Sequence, residues 1–283
     1  MKILLAGATG VVGRNLLPLL SAAGYEVTGT TRRPDKQAQI AALGGQPLVM
    51  DALDRDRVFA ALETIRPDIV FHQLTDLAGR DFSANVRLRV EGTRHLVDAA
   101  RAVGVKRMIA QSISWVCVAG ESPACEIDPL DLDAPQPRRE TILGVQALEQ
   151  AVAEMPIGVV LRYGLLYGAG TWYDRDSLMT EQIRRGELTA TDAVSSFLHV
   201  EDAARAALSA IDWPAGVYHI VDDEPAAGTQ WLPVYARLVN APPPLTRLGR
   251  QGWKRGESNA KARAVGWSPH YRSWREGFVH VLA

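Results

Sequence analysis

Over the first 110 positions the hydrophobic residues follow two alternating rhythms. Short continuous apolar runs at residues 2–6, 26–30, 47–50, 68–72 and 107–110 are separated by stretches of helical period at 11–23, 36–43, 55–64 and 84–103. A strand buried on both faces loses the in–out alternation of a half-exposed one, and strands that alternate with helices are joined by right-handed crossovers. The pattern therefore predicts an α/β core of parallel strands between helical layers. A helix at 139–154 and a strand at 157–162 complete it.

After residue 163 the rhythm loosens. Short helices are predicted at 177–185, 201–211, 230–239 and 273–282, and one more strand at 217–221. Pro242-Pro243-Pro244 reads as a rigid linker. On this reading residues 1–162 form the core and 163–283 a smaller substrate lobe. Residues 112–137 carry Pro123, Pro129, Pro135 and Pro137 and five acids (Glu121, Glu126, Asp128, Asp131, Asp133) without a helical period. A structureless stretch of that length in a compact domain is usually functional. It is expected to overlie the carboxyl ends of the strands as a lid, with its acids on a solvated face.

Composition narrows the partners. A net charge of −1 gives no global field toward nucleic acid or an anionic membrane. No run approaches the roughly 18 apolar residues of a membrane span, and the apolar start is too short for a secretion signal. Two cysteines, Cys117 and Cys125, cannot build a disulfide framework. The expectation is a cytoplasmic protein with a small-molecule substrate, no nucleic-acid or membrane partner and no metal, since no histidine pair has ligand spacing. The sequence names no oligomeric state.

The chemistry starts at Gly7-Ala8-Thr9-Gly10-Val11-Val12-Gly13, between the first strand and the first helix. Gly7 permits the tight turn, Gly10 a close approach of pyrophosphate, and Gly13 close packing of helix on sheet. Thr9, Val11 and Val12 complete a loop whose backbone N–H groups face an anion. With strand–turn–helix context met, the segment predicts a Rossmann-type dinucleotide site. An NAD-selective chain places a carboxylate at the end of the second strand. Here that end reads Thr31-Arg32-Arg33, and guanidinium groups suit a 2′-phosphate, so the expected cofactor is NADP(H).

These residues, with Pro67-Asp68-Ile69-Val70-Phe71-His72, Val90-Glu91-Gly92-Thr93, Leu161-Arg162-Tyr163-Gly164, Tyr167-Gly168-Ala169-Gly170 and His199-Val200-Glu201-Asp202, resemble the extended short-chain dehydrogenase/reductases over nearly the whole chain. The resemblance implies that Asp51, Ala52 and Leu53 hold the adenine, and that Gln73 and Leu74 run along the phosphates. It also implies that Gln111 and Ser112 lie beside the nicotinamide and that the backbone at Tyr163 meets the carboxamide.

One departure matters. The family's acid is a tyrosine with a lysine four residues later. Those positions fall on Thr141 and Val145, and residues 138–155 contain neither Tyr nor Lys. Ser112 and Ser114 are left as candidate catalytic hydroxyls. Ser114, Trp115, Tyr163, Trp172 and Tyr173 are the expected substrate contacts, suited to a flat apolar ligand. The chain thus resembles an atypical member, similar to ketoreductases that tailor antibiotics such as the angucyclinones. The expected reaction is NADPH-dependent reduction of a ketone. A non-catalytic NADP(H) sensor is the alternative. A sugar-nucleotide epimerase or dehydratase is disfavoured, because its redox cycle needs the missing base.

Overall fold

The computed structural model describes residues 1–77 and 82–283. Seven apolar runs become strands: β1 (Lys2–Ala6), β2 (Glu26–Thr31), β3 (Gln46–Val49), β4 (Ile69–His72), β5 (Arg107–Ile113), β6 (Ile157–Tyr163) and β7 (Gly216–Ile220). They form one sheet in the order β7-β6-β5-β4-β1-β2-β3. β1 runs parallel to β2 and β4, β2 to β3, and β4 to β5. The order reverses at β1, where the chain crosses from one side of the sheet to the other. Such a switch point opens a crevice at the carboxyl ends of the strands.

Helices α1 (Gly13–Ala22), α2 (Gln37–Ala42), α3 (Arg55–Ile65), α4 (Phe82–Arg87), α5 (Thr93–Ala102) and α6 (Arg138–Ala153) connect β1 to β6. Leu4, Val70 and Met108 of the strands meet Leu62, Leu96, Val97 and Leu148 of α3, α5 and α6 in one core. Most of these side chains are fully buried, each contributing roughly 1.5–3 kcal/mol by removal from water. The helix expected over 84–103 is interrupted. Leu88–Gly92 form a π-turn between α4 and α5, the kind of defect that often re-aims a side chain at a functional site.

The chain divides into two units. The first holds residues 1–112, 131–161 and 204–217, the second 113–130, 162–203 and 218–283. The division expected at 162 is therefore incomplete. α7 (Leu178–Arg184), α9 (Gly228–Leu238), α10 (Ala260–Ala264) and α11 (Trp274–Leu282) lie in the second unit, but α8 (Val200–Ser209) leads back to β7, which adds the last strand beside β6. The stretch expected as one piece over 112–137 is divided between the units. Residues 113–130 belong to the second, where a bridge joins Ala124 to Glu257. The acids of this stretch are not simply solvated. Asp128 pairs with the buried Arg255 at 3.0 Å, and Glu126 accepts the His219 N–H at 2.7 Å. Pro242-Pro243-Pro244 leads into a two-residue strand, Leu245–Thr246, paired with Thr189–Ala190. Among the described residues no helix is long and apolar enough to cross a membrane.

Candidate functional site

The first unit builds a cradle at the switch point. Gly7 sits at φ +90, open to glycine and strained for other residues. A Cβ there would lie 2.6 Å from the Gln73 carbonyl oxygen, and one at Gly13 would lie 2.1 Å from the Gly7 carbonyl oxygen. The loop, α1 and the end of β4 are thus in backbone contact. At Gly10 the nearest atom to a Cβ is the Gly7 oxygen at 3.3 Å. The protein alone almost admits a side chain there, so a close-approaching ligand is the stronger reason for glycine at position 10. Val12 is buried, Val11 and Thr9 half-buried. Thr9 Oγ1 meets Thr31 Oγ1 at 3.4 Å, and Ala8 donates to the Thr30 carbonyl at 3.1 Å, binding the loop to β2.

Beyond β2, Thr31 Oγ1 accepts the Arg33 N–H at 3.1 Å. Both arginines are engaged: Arg32 with Asp76 at 3.0 Å, Arg33 with Asp35 at 2.7 Å. These pairs are exposed, and exposed pairs are worth little, so a phosphate can compete for either guanidinium. Asp51 Oδ1 accepts the Leu53 N–H at 3.0 Å, and the Ala52 carbonyl meets His95 Nδ1 at 2.9 Å, fixing the 51–53 turn. Gln111 donates to the Leu74 carbonyl at 3.4 Å, holding the ends of β4 and β5 together. The residues of the first unit expected to hold a dinucleotide therefore line one end of its sheet. The cradle that a Cβ would fill fits such a cofactor.

Beneath this end lies a buried polar cluster that the sequence reading missed. Ser112 donates to Glu149 Oε1 at 3.0 Å. Its hydroxyl hydrogen is taken, and its lone pairs are what remain for a ligand. Arg89, carried by the π-turn, is buried with Nη1 lacking a hydrogen-bond partner. Burial pulls its pKa down to about 10, opposed by the Glu149 charge. His72 meets Thr93 Oγ1 at 2.8 Å, and burial, reinforced by the Arg89 charge, lowers its pKa to about 4. It is a neutral core histidine. At the positions of the expected acid pair, Val145 is fully buried and Thr141 half-buried.

The second unit contains a cavity of 360 Å³. Ser114, Trp115 and Tyr173 line it, with Trp231, Trp253, Lys254 and Glu257, none of which the sequence reading singled out. Ser114 is placed by its N–H, which donates to the Tyr163 carbonyl at 3.0 Å. Two expected contacts are absent from the lining. Tyr163 is buried, its hydroxyl donating to the Ala203 carbonyl at 3.4 Å, and Trp172 packs against the aromatic core around Phe197 and Phe278. Burial raises the pKa of Tyr167 and Tyr173 far above neutrality, so neither is poised to give up a proton. Cys117 is buried and its thiol pushed up to about 11. His199 accepts the Glu201 N–H through Nδ1 at 3.2 Å, at the start of α8.

The profile of the NAD dependent epimerase/dehydratase family matches residues 3–221. Among curated proteins the chain is 43% identical to a 3-diazoavenalumate denitrifying reductase from a Streptomyces species, over 98% of this chain and 99% of that one. It is 26% identical to a 4-hydroxy-2-methyl-3-oxo-4-farnesyl-3,4-dihydroquinoline-1-oxide ketoreductase from Stigmatella aurantiaca, over 94% and 84% of the two chains. In fold it is similar to the UDP-glucose 4-epimerase of Thermotoga maritima, with a TM-score of 0.78, 21% identity, and coverage of 100% and 97%.

Proposed function

The chain belongs to the NAD dependent epimerase/dehydratase family, and from that premise we propose that it is an NADPH-dependent reductase of an aromatic secondary metabolite whose acceptor group needs no phenolic acid. An NAD(P) cofactor is typical of the family. Here Gly7, Gly10 and Gly13 would hold its pyrophosphate, Asp51 to Leu53 its adenine, and Arg32 and Arg33 its 2′-phosphate. Bound there, a reduced nicotinamide supplies a hydride, which replaces dinitrogen by hydrogen on an aryl diazonium carbon, or turns a ketone into an alkoxide that must be protonated.

The observation that carries the reading is the pairing of a fitting cofactor cradle with Val145 and Thr141 where the acid pair would stand. Loss of dinitrogen leaves a neutral C–H product and asks for no proton at the reacting carbon. The name of the 43% identical relative points to the same class of substrate.

Ketone reduction is the second reading. It is favoured by the ketoreductase relative and by Ser114, whose buried hydroxyl has no partner and can donate to an alkoxide. A ketone with a neighbouring hydroxyl would carry part of that proton supply itself.

The test is single-turnover NADPH oxidation with 3-diazoavenalumate and with matched aromatic ketones, with and without the neighbouring hydroxyl. Deuterium transferred from the cofactor to the aryl carbon, with release of dinitrogen, is the expected result. Turnover of ketones alone selects the second reading. Nucleotide binding without oxidation by any acceptor overturns both and leaves the sensor.

A further inference from the structure

We propose that the cavity of the second unit is a binding site for a planar aromatic carboxylate, with Trp231 and Ser114 donating hydrogen bonds to its oxygen atoms and Lys254 pairing with its charge. The proposal deepens the reading of the protein as a reductase of aromatic metabolites, but it concerns binding and does not depend on turnover.

Three observations converge. First, the wall is aromatic. Trp115 and Trp253 lie with ring centroids 6.3 Å apart and planes tilted by 40°, and Trp231 and Tyr173 lie edge to face at 6.0 Å. Rings of this kind favour a flat apolar body by stacking and edge contacts. A volume of 360 Å³ falls at the lower end of small-molecule sites, enough for one or two rings with a short substituent.

Second, two polar groups on this wall are buried without a partner. Trp231 is 8% exposed and Ser114 1%, and neither the indole Nε1 nor the serine Oγ has a hydrogen-bond partner. An indole N–H can only donate. Folding has left both groups dry, which native chains avoid unless something absent from the bare protein supplies the acceptor. Both line the same cavity, so one ligand bearing acceptor oxygens can satisfy them together.

Third, a cation stands in the same lining. The Lys254 Nζ lies 5.2 Å over the Trp253 ring, and among the described residues no carboxylate is within ion-pair distance of it. An ammonium held against an aromatic face in the wall of a cavity pairs favourably with a ligand carboxylate. Glu257 is buried in the same wall.

Calorimetric titration of the full chain with 2-naphthoate and its neutral analogue 2-naphthamide tests this without any reaction. The native protein is expected to bind naphthoate roughly tenfold or more tightly than the amide. Lys254→Met should erase that preference. Trp231→Phe removes the N–H but also shrinks a ring of the aromatic core, so Ser114→Ala, which deletes a hydroxyl alone, is measured beside it. Both should weaken both ligands by about tenfold, and Ser114→Ala should leave the melting temperature of the free protein unchanged or higher, because an unsatisfied hydroxyl has gone. A structural role for Ser114 would move the melting temperature down instead. No binding of either compound at millimolar concentration overturns the proposal, as does equal affinity for the two that Lys254→Met leaves intact. Naphthoate binding without turnover of any acceptor would keep this site and remove the reductase reading, and turnover without naphthoate binding would do the reverse.

Discussion

The two units solve the problem of holding a ligand with different materials. The first offers backbone: a glycine turn, the amino end of α1 and strand ends locked at contact distance. The second offers side chains from residues as far apart as Ser114 and Glu257, gathered on an aromatic wall. Backbone recognition needs a local sequence, because turn, strand and helix must be consecutive. Side-chain recognition needs only proximity in the fold. The first kind of site tolerates almost no change at a few positions, whereas the second can be altered residue by residue.

The difference extends to titration, where the largest effect in free energy is expected. In the first unit His72 has its pKa lowered to about 4 by burial. Its contribution to stability is present above about 6.5 and is lost as pH falls through 4. The second unit holds His219, lowered to about 3 by burial and the Arg162 charge, which acts in the same direction. It also holds Asp222, raised to about 8 chiefly by burial, with Glu224 and Asp223 adding to the rise. A raised carboxyl has the opposite sign: its contribution is complete below about 4 and is lost as pH rises through 8. The upper bound on that loss is roughly 5 kcal/mol. Hydrogen exchange at pH 6 and pH 8.5 should therefore show the second unit loosening at the higher pH while the first holds. Asp222→Asn should abolish the difference. Equal protection of both units at the two pH values would break the comparison.

Next in size is the cradle. Gly10→Val adds bulk where a Cβ already meets the Gly7 oxygen at 3.3 Å. Binding of NADPH should weaken by roughly 100-fold or more, with the circular dichroism spectrum and naphthoate binding in the cavity of the second unit unchanged. A folded variant that binds the nucleotide normally would show that the loop does not hold phosphate.

What the sequence made legible follows the same line. The strands of the sheet could be read from uninterrupted apolar runs, and β1 and β4 fall within a residue of their expected bounds, because burial on both faces leaves a local trace. The glycine turn was legible for the same reason. Nothing in the neighbourhood of Glu149 announces that it accepts a hydrogen bond from a serine 37 residues earlier. Arg89 would read as one polar position on a helix, since the π-turn that buries it leaves no local signature. Trp231, Trp253 and Lys254 belong to three-dimensional proximity alone. Trp172 and Tyr163 were expected at the ligand as aromatic residues suited to a flat substrate, but Trp172 packs against the aromatic core and the Tyr163 hydroxyl donates to the Ala203 carbonyl. The division of the 112–137 segment between the units was not legible, because the anchors of its first part, Arg255 and Glu257, lie over a hundred residues away.

A third change separates the two acceptor readings. Ser112→Ala removes a hydroxyl whose hydrogen already serves Glu149. If the substrate is a ketone and Ser112 turns its hydrogen from Glu149 to the forming alkoxide, the rate should drop on the order of 100-fold. If it is an aryl diazonium, single-turnover oxidation should stay close to the native rate. Ser114→Ala, across the division of the units, should affect the ketone rate and ligand affinity together, since its hydroxyl lacks any other partner.

The smallest effect concerns cofactor choice, and it turns on a competition already present in the protein. Arg32, one of the two candidate arginines for a 2′-phosphate, directly follows β2, and its guanidinium lies 3.0 Å from Asp76. The side chains are 47% and 25% exposed, so the pair is worth only about 0.2–1 kcal/mol. A 2′-phosphate brings more charge and more acceptor oxygens than Asp76 and should displace it, but it must first give up that amount. Asp76→Asn removes the competitor and keeps the shape. NADPH affinity should then rise by up to about fivefold, while NADH, which has no phosphate to place there, should change little. Arg32→Ser should do the opposite, weakening NADPH and sparing NADH. Fluorescence titration of both nucleotides against both variants measures this directly. If Asp76→Asn tightens NADH as much as NADPH, Arg32 does not read the 2′ position, and the preference for NADP(H) loses its structural basis.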